Sequence, residues 1–340
     1  MDLKQVFVTP FALESGIELP RLEMHYSVYG DLNSGKPIVW VIHALTADAN
    51  VAEWWEGLVG ENGFFNAEEY TIVCANNIGS CYGSTGPESF NPRSEKAYLK
   101  DFPRITTRDM SRAIVRLADS LGIERIDYLI GASMGGQIAL EWAIRQPRRM
   151  TNLILLATNA QHSPWGIAFN EAQRMALATD PEFDAGGAAR SGLKAARAVA
   201  MLSYRTYQCY GEKQSDDLSL GEFGKAARYQ QYQGEKLANR FSAYAYWTLS
   251  HAMDTHNVGR GRVSVEDALG AIRACTLVIG IEEDLLFPIA EQRFLAKAIP
   301  GARFRAINSL YGHDGFLIET DAITALLEEF VSLKEPCLHD

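Results

Sequence analysis

Cysteine is scarce in this chain, and what there is stands apart: Cys74, Cys81, Cys209, Cys275 and Cys337 are odd in number and include no C-x-x-C pair. Such spacing suggests neither a disulfide framework nor a structural zinc site, and it suits a reduced cytoplasm. Positive charge is short as well, with 32 basic against 42 acidic residues, a net charge of −10 and no Lys/Arg run to make a local basic patch. That balance repels phosphate backbones and anionic lipid, so neither nucleic acid nor a membrane surface is an expected partner. No stretch approaches the roughly 18 consecutive apolar residues of a membrane span, and MDLKQVFVTPF lacks the apolar core of a secretion signal. The expectation is a soluble, unprocessed, cytoplasmic protein. Internal repeats and low-complexity tracts are missing, and no phosphate-loop motif, G-x-x-x-x-G-K-[ST] or G-x-G-x-x-G, occurs at a strand end.

What is present is an alternation. IVWVIHAL (38–45), TIVCANNIG (71–79), IDYLIG (126–131), NLILLAT (152–158), CTLVIGI (275–281) and ARFRAIN (302–308) are apolar enough to be strands buried on both faces. Between them TTRDMSRAIVRLADSLG (106–122), GGQIALEWAIRQP (135–147), PIAEQRFLAKAIP (288–300) and TDAITALLEEFVSL (320–333) carry apolar residues at helical spacing. Strand alternating with helix predicts an α/β fold with a mostly parallel sheet flanked by helices. The stretch IELPRLEMHYSVYG, then DLNSGKP, then IVWVI reads as a hairpin that gives the sheet an antiparallel edge. From 159 to 263 the strand rhythm stops and the chain turns Ala-, Arg-, Gln- and Tyr-rich. We read 1–158 and 264–340 as one core and 159–263 as a helical lid inserted over the sheet's C-terminal edge, where open α/β sheets place their sites. A length of 340 residues suits one large α/β domain carrying an insertion.

GASMGG (131–136) lies between a strand and a helix, and G-x-S-x-G in that context is a nucleophile elbow. Small residues flank Ser133 because the turn is tight, and the Met134 N–H, at a helix start, points where an oxyanion would form. The plainer alternative is a Gly-rich turn with a capping serine. A base and an orienting acid follow such a serine in the order Ser, Asp or Glu, His. Of the later histidines, His313 follows a strand in SLYGHDGFLIE, whereas His339 is terminal, and His251 and His256 in HAMDTH are five apart and so not on one helical face. No metal site is expected there. Glu282, Glu283 and Asp284 compete at the end of CTLVIGI, and Asp284 is chosen because LLFP then turns the chain into the next helix. Leu45, in VIHALTAD (41–48), is the candidate for the second oxyanion N–H, with His43 shaping that loop. The loop NNIGSCYGSTGPESFNP (76–92) reads as a wall of the pocket rather than a surface turn cluster.

Together these segments resemble the homoserine O-acetyltransferase family, acyltransferases of methionine biosynthesis with the α/β-hydrolase fold. HALT (43–46), GSTGP with NP (83–87, 91–92), SMGG with ALEWA (133–136, 139–143), MLSYRT (201–206), HNVGRGR (256–262), LFP (286–288) and HDGFL (313–317) resemble family signatures in family order. The resemblance implies a triad of Ser133, Asp284 and His313, the residues reached above. It also implies a substrate-reading pair, Arg205 and Asp314, acetyl-CoA as co-substrate with no permanently bound cofactor, L-homoserine as acceptor, an acyl-serine intermediate and a homodimer through the lid. Two departures touch the pocket wall: Ala47-Asp48-Ala49-Asn50 where members usually show Gly-Asp, a small residue and His, and Ala132 where the elbow usually has Gly. Succinyl-CoA as donor, serine as acceptor, a carboxylesterase or thioesterase with the same triad, and a non-enzymatic binding module are the competing readings.

Overall fold

The computed structural model describes residues 2–217, 221 and 223–333, so Cys337 and His339 lie outside the described residues. The main sheet is built from β1 (Asp2–Phe7), β2 (Leu22–Tyr29), β3 (Ile38–Ile42), β4 (Thr71–Ala75), β5 (Ile126–Ala132), β6 (Met150–Leu156), β7 (Cys275–Ile281) and β8 (Arg303–Ile307). Its order is β1-β2-β4-β3-β5-β6-β7-β8. The two pairings that involve β2 are antiparallel, and the rest are parallel. This is an α/β-hydrolase fold.

The expected hairpin between residues 17–29 and 38–42 does not form. The strand β4, buried at every position, is inserted between β2 and β3, and the antiparallel edge is the pair β1 and β2. A strand buried on both faces gains most from a central place, which is why TIVCA displaces the sequence-adjacent partner.

Side chains alternate between the faces of the sheet. Trp40, Ile42, Val73, Leu129 and Leu155 face one layer, where the helices α1 (Thr107–Ser120) and α2 (Met134–Arg145) supply Met110, Ile114, Leu117, Ile138 and Trp142. Val39, Val41, Ile72, Cys74, Ile130 and Ile154 face the other, against Trp55, Ile323, Leu327 and Phe330. The start of α1 is set by a capping box between Thr106 and Asp109.

Between β6 and β7 the chain is helical: α3 (Pro164–Ala178), α4 (Arg190–Tyr204), α5 (Tyr207–Gln214), α6 (Lys225–Ala238) and α7 (Ala243–Asp254) are its longer members. Close crossings rest on glycine, since a Cβ at Gly192 would lie 2.4 Å from the Leu177 carbonyl oxygen and one at Gly234 3.0 Å from that of Lys194. The segment leaves and returns at one stem, where Gln161 and Asn257 form an antiparallel bridge. Cys74, Cys81 and Cys209 are free. No described helix is long and apolar enough to cross a membrane.

Candidate active site

Parallel register brings the C-terminal ends of the central strands side by side: Ile42 pairs with Gly131, Ala132 with Leu156, Leu156 with Ile279, and Ile281 with Ile307. Loops leaving these ends converge, and each candidate residue sits on one of them. Ser133 follows β5 directly with φ 54° and ψ −126°. The three surrounding glycines are needed for space rather than for φ. A Cβ at Gly131 would lie 2.4 Å from the Gly135 oxygen, one at Gly135 2.1 Å from the Ile42 oxygen, and one at Gly136 2.6 Å from the Thr158 Cβ. The elbow is thus pressed against β3 and the end of β6, and Ser133 alone carries the unusual torsion.

The Ser133 Oγ lies 3.0 Å from His313 Nε2, and His313 Nδ1 lies 2.6 Å from Asp284 Oδ2. The other carboxylate oxygen of Asp284 accepts from the Leu286 and Phe287 N–H groups at 2.8 Å each. One oxygen therefore orients the imidazole while the other is locked by backbone. Glu282 and Glu283 are exposed; the first pairs with Arg293 and the second accepts from the Ser309 N–H. All three triad side chains are buried, and the His313 ring is held between Phe287, stacked at 5.0 Å, Tyr204 at 5.7 Å and Phe316 at 5.4 Å. The sequence reading missed these aromatic neighbours.

Met134 opens α2, so no carbonyl one turn back is available to its N–H. Leu45 lines the same cavity as Ser133. Its loop is held by His43, which bonds the Ala44 carbonyl through Nδ1 at 2.8 Å and accepts the Asn77 N–H at Nε2, 2.9 Å. Burial lowers the pKa of His43, and a neutral ring with its proton on Nδ1 fits both bonds. His43 is thus structural. The loop 76–92 does not line the cavity, contrary to expectation. It stands behind the 43–50 loop, where Asn76 accepts the Ala49 N–H at 2.7 Å and bonds the Tyr82 carbonyl. Of the two departures, only Ala47 reaches the cavity with its neighbour Asp48. Asn50 accepts from the Tyr29 hydroxyl, and Ala132 is packed beneath the sheet.

The cavity has a volume of about 570 Å³. The chain after α4 docks onto the histidine loop: Tyr204 packs on His313, Thr206 donates to the Leu310 carbonyl, and Arg205 Nη2 lies 3.1 Å from Asp314 Oδ2. Arg205 also lies over the Tyr311 ring, and its Nε and Nη1 are buried with no hydrogen-bond partner among the described residues. Arg205 and Asp314 thus meet in one cavity with Ser133 and His313. His251 and His256 form no metal site; among the described residues no His, Cys, Asp and Glu cluster could hold an ion. His256 instead bonds the Thr107 hydroxyl and the Asn159 carbonyl, each at 3.0 Å.

A strained serine between a parallel strand and a helix, hydrogen-bonded to a histidine that is bonded to an aspartate, defines an enzyme of the α/β-hydrolase class. The family model described as alpha/beta hydrolase fold matches residues 37–320. Over 327 residues the chain is 47% identical to the homoserine O-acetyltransferase of Cyclobacterium marinum, covering 94% of this chain and 92% of that one. The crystal structure of homoserine O-acetyltransferase from Bacillus anthracis superposes with a TM-score of 0.90 at 22% identity, over 99% of this chain and 100% of that one. That of esterase E22 superposes at 0.86 and 21% identity, over 97% and 100%. At such identities the structures establish the fold alone. The chain belongs to the homoserine O-acetyltransferase family.

Proposed function

We propose that this protein moves an acetyl group from acetyl-CoA to the hydroxyl of L-homoserine through an acyl-Ser133 intermediate, a step of methionine biosynthesis. His313 takes the Ser133 proton as Oγ attacks the thioester carbonyl, and the Leu45 and Met134 N–H groups hold the oxyanion. The C–S bond breaks, and the thiol leaves with a proton from His313. Homoserine then enters, His313 removes its hydroxyl proton, the oxygen attacks the acyl-serine, and Ser133 regains its proton. Release of CoA before the acceptor reacts makes the kinetics ping-pong.

The observation that carries the acceptor is the pair Arg205 and Asp314 beside the base. An amino acid presents a carboxylate and an ammonium, and the unpartnered Arg205 N–H groups and the Asp314 carboxylate match them. Gripped at both ends, the acceptor gains an effective concentration that lets its hydroxyl outcompete water by orders of magnitude. An esterase or thioesterase needs the triad but not this pair, and a binding module needs neither. The test is product analysis after mixing the protein with acetyl-CoA and homoserine. Acetylhomoserine should exceed free acetate; acetate alone would make the enzyme a hydrolase. Substituting succinyl-CoA or serine in the same assay should give slower turnover.

A further inference from the structure

The overall charge is −10, yet the catalytic cavity is lined, besides Arg205, by three cations, Arg197, Lys236 and Arg240. Arg197 comes from α4, Lys236 from α6 and Arg240 from the turn after it, so only the folded lid brings them together. None of the three has a carboxylate within ion-pair distance among the described residues. On the same helices, the cations Arg190 and Lys194 are paired with Glu235. Arg240 is held in place by neutral oxygens, the Thr46 carbonyl at 2.5 Å and the Tyr82 hydroxyl at 2.6 Å, which position the guanidinium without cancelling its charge. Arg197 lies over the Tyr204 ring, its Nε buried with no hydrogen-bond partner among the described residues. Lys236 and Arg240 are exposed while Ser133 and His313 are buried, which sets these two cations at the mouth and the chemistry at the floor of one cavity, and Arg197 is half-buried over Tyr204.

We propose that Arg197, Lys236 and Arg240 dock the phosphate groups of the acyl donor, so that its thioester arm reaches down to Ser133. The inference rests on the reading of the donor as an acyl-CoA. Three uncompensated cations are a mismatch for an apolar or cationic ligand and a match for a molecule with several phosphates on a long neutral arm. Of the carboxylates that share the lining, Asp314 is paired with Arg205, and among the described residues neither Asp48 nor Glu53 forms an ion pair with any of the three cations. Arg240 also ties the site to catalysis, since the carbonyl it holds belongs to the residue after Leu45.

The test compares acetyl-CoA, its 3′-dephospho analogue and S-acetylpantetheine, which has no phosphate, as donors to the unaltered protein and to Lys236→Ala and Arg197→Ala. The unaltered protein should use acetyl-CoA with kcat/KM at least about tenfold above S-acetylpantetheine, and that preference should shrink as salt rises. Each variant should reduce the preference by about 5- to 20-fold, mainly through KM. The dephospho analogue assigns the contact, to the 3′-phosphate if it behaves like S-acetylpantetheine and to the pyrophosphate if it behaves like acetyl-CoA. Equal use of phosphate-bearing and phosphate-free donors by the unaltered protein, or variants that slow both equally, would overturn the site while leaving the transferase reading intact. Absence of acetylhomoserine with every donor would instead overturn the function itself.

Discussion

Ser133 holds a backbone torsion that costs on the order of 1–3 kcal/mol for a residue with a side chain, and its neighbours pin it there by leaving no room to relax. Alanine can occupy the same torsion, so Ser133→Ala should keep the fold while lowering kcat by about 10⁴- to 10⁶-fold. Mass spectrometry of the unaltered protein mixed with acetyl-CoA alone should place an adduct on the Ser133 peptide. Activity within tenfold of the parent would remove Ser133 from the chemistry. For Arg205→Ala the loss should fall on one half-reaction: the burst of CoA release survives, while kcat/KM for homoserine drops by roughly 30- to 5,000-fold, the effect of one desolvated charged contact. A lost burst with unchanged KM for homoserine would assign the arginine to the donor or the lid. Ser133, Asp284 and His313 could be picked out because each follows a strand end in a fixed order, whereas Arg205, at the end of a helix, was named only through the family resemblance. The choice among Glu282, Glu283 and Asp284 was legible too, since only a short aspartate at that point can cap the Leu286 and Phe287 N–H groups of the turn that LLFP begins.

At the scale of elements, periodicity located the strands of the sheet's parallel part to within a few residues, but not which of them are neighbours. The misplaced hairpin shows why: pairing is decided by the burial of β4, which is far in sequence from β2. The stem of the lid was equally hidden. There His162 and His256 are buried beside Gln137, Asn159 and Asn170, and burial pushes their pKa values down to about 3 and about 4. An unfolded histidine titrates near 6.5, so between 6.5 and these lower values the unfolded chain binds more protons than the folded one. The stabilisation is complete above pH 6.5 and is lost as pH falls toward the folded values, by up to about 1.4 kcal/mol per pH unit for each ring. Melting temperature should therefore fall steeply from pH 6.5 to 5, and His256→Gln should melt lower at pH 7.5 but with a shallower fall. An unchanged slope would show that this ring is not the group being titrated.

The whole molecule is where sequence reading was weakest. The insertion announced itself only by about a hundred residues without a strand, and of its cavity-facing residues only Arg205 was named, through the family resemblance. A signal existed in Gln233, Lys236, Leu237 and Arg240, which stand at i, i+3, i+4 and i+7, the spacing of one helical face. Without the opposing wall, that face reads as an ordinary solvated surface. Exposed parts of the insertion present the reverse case: Leu202, Tyr207, Phe223 and Tyr232 are all more than half exposed. Several large apolar groups on one insertion exceed the scattered single exposures normal for a monomer, and burying them against a second copy would recover roughly 25 cal/mol for each Å² removed from water. We expect a homodimer formed through the lid. Light scattering behind size exclusion should give twice the chain's 37.7 kDa at micromolar concentration. Tyr207→Asp, at the most exposed of these positions, should shift the mass toward the monomer without lowering the melting temperature of the core. A parent protein that stays monomeric at those concentrations, or a variant whose mass is unchanged, would place the association elsewhere or remove it.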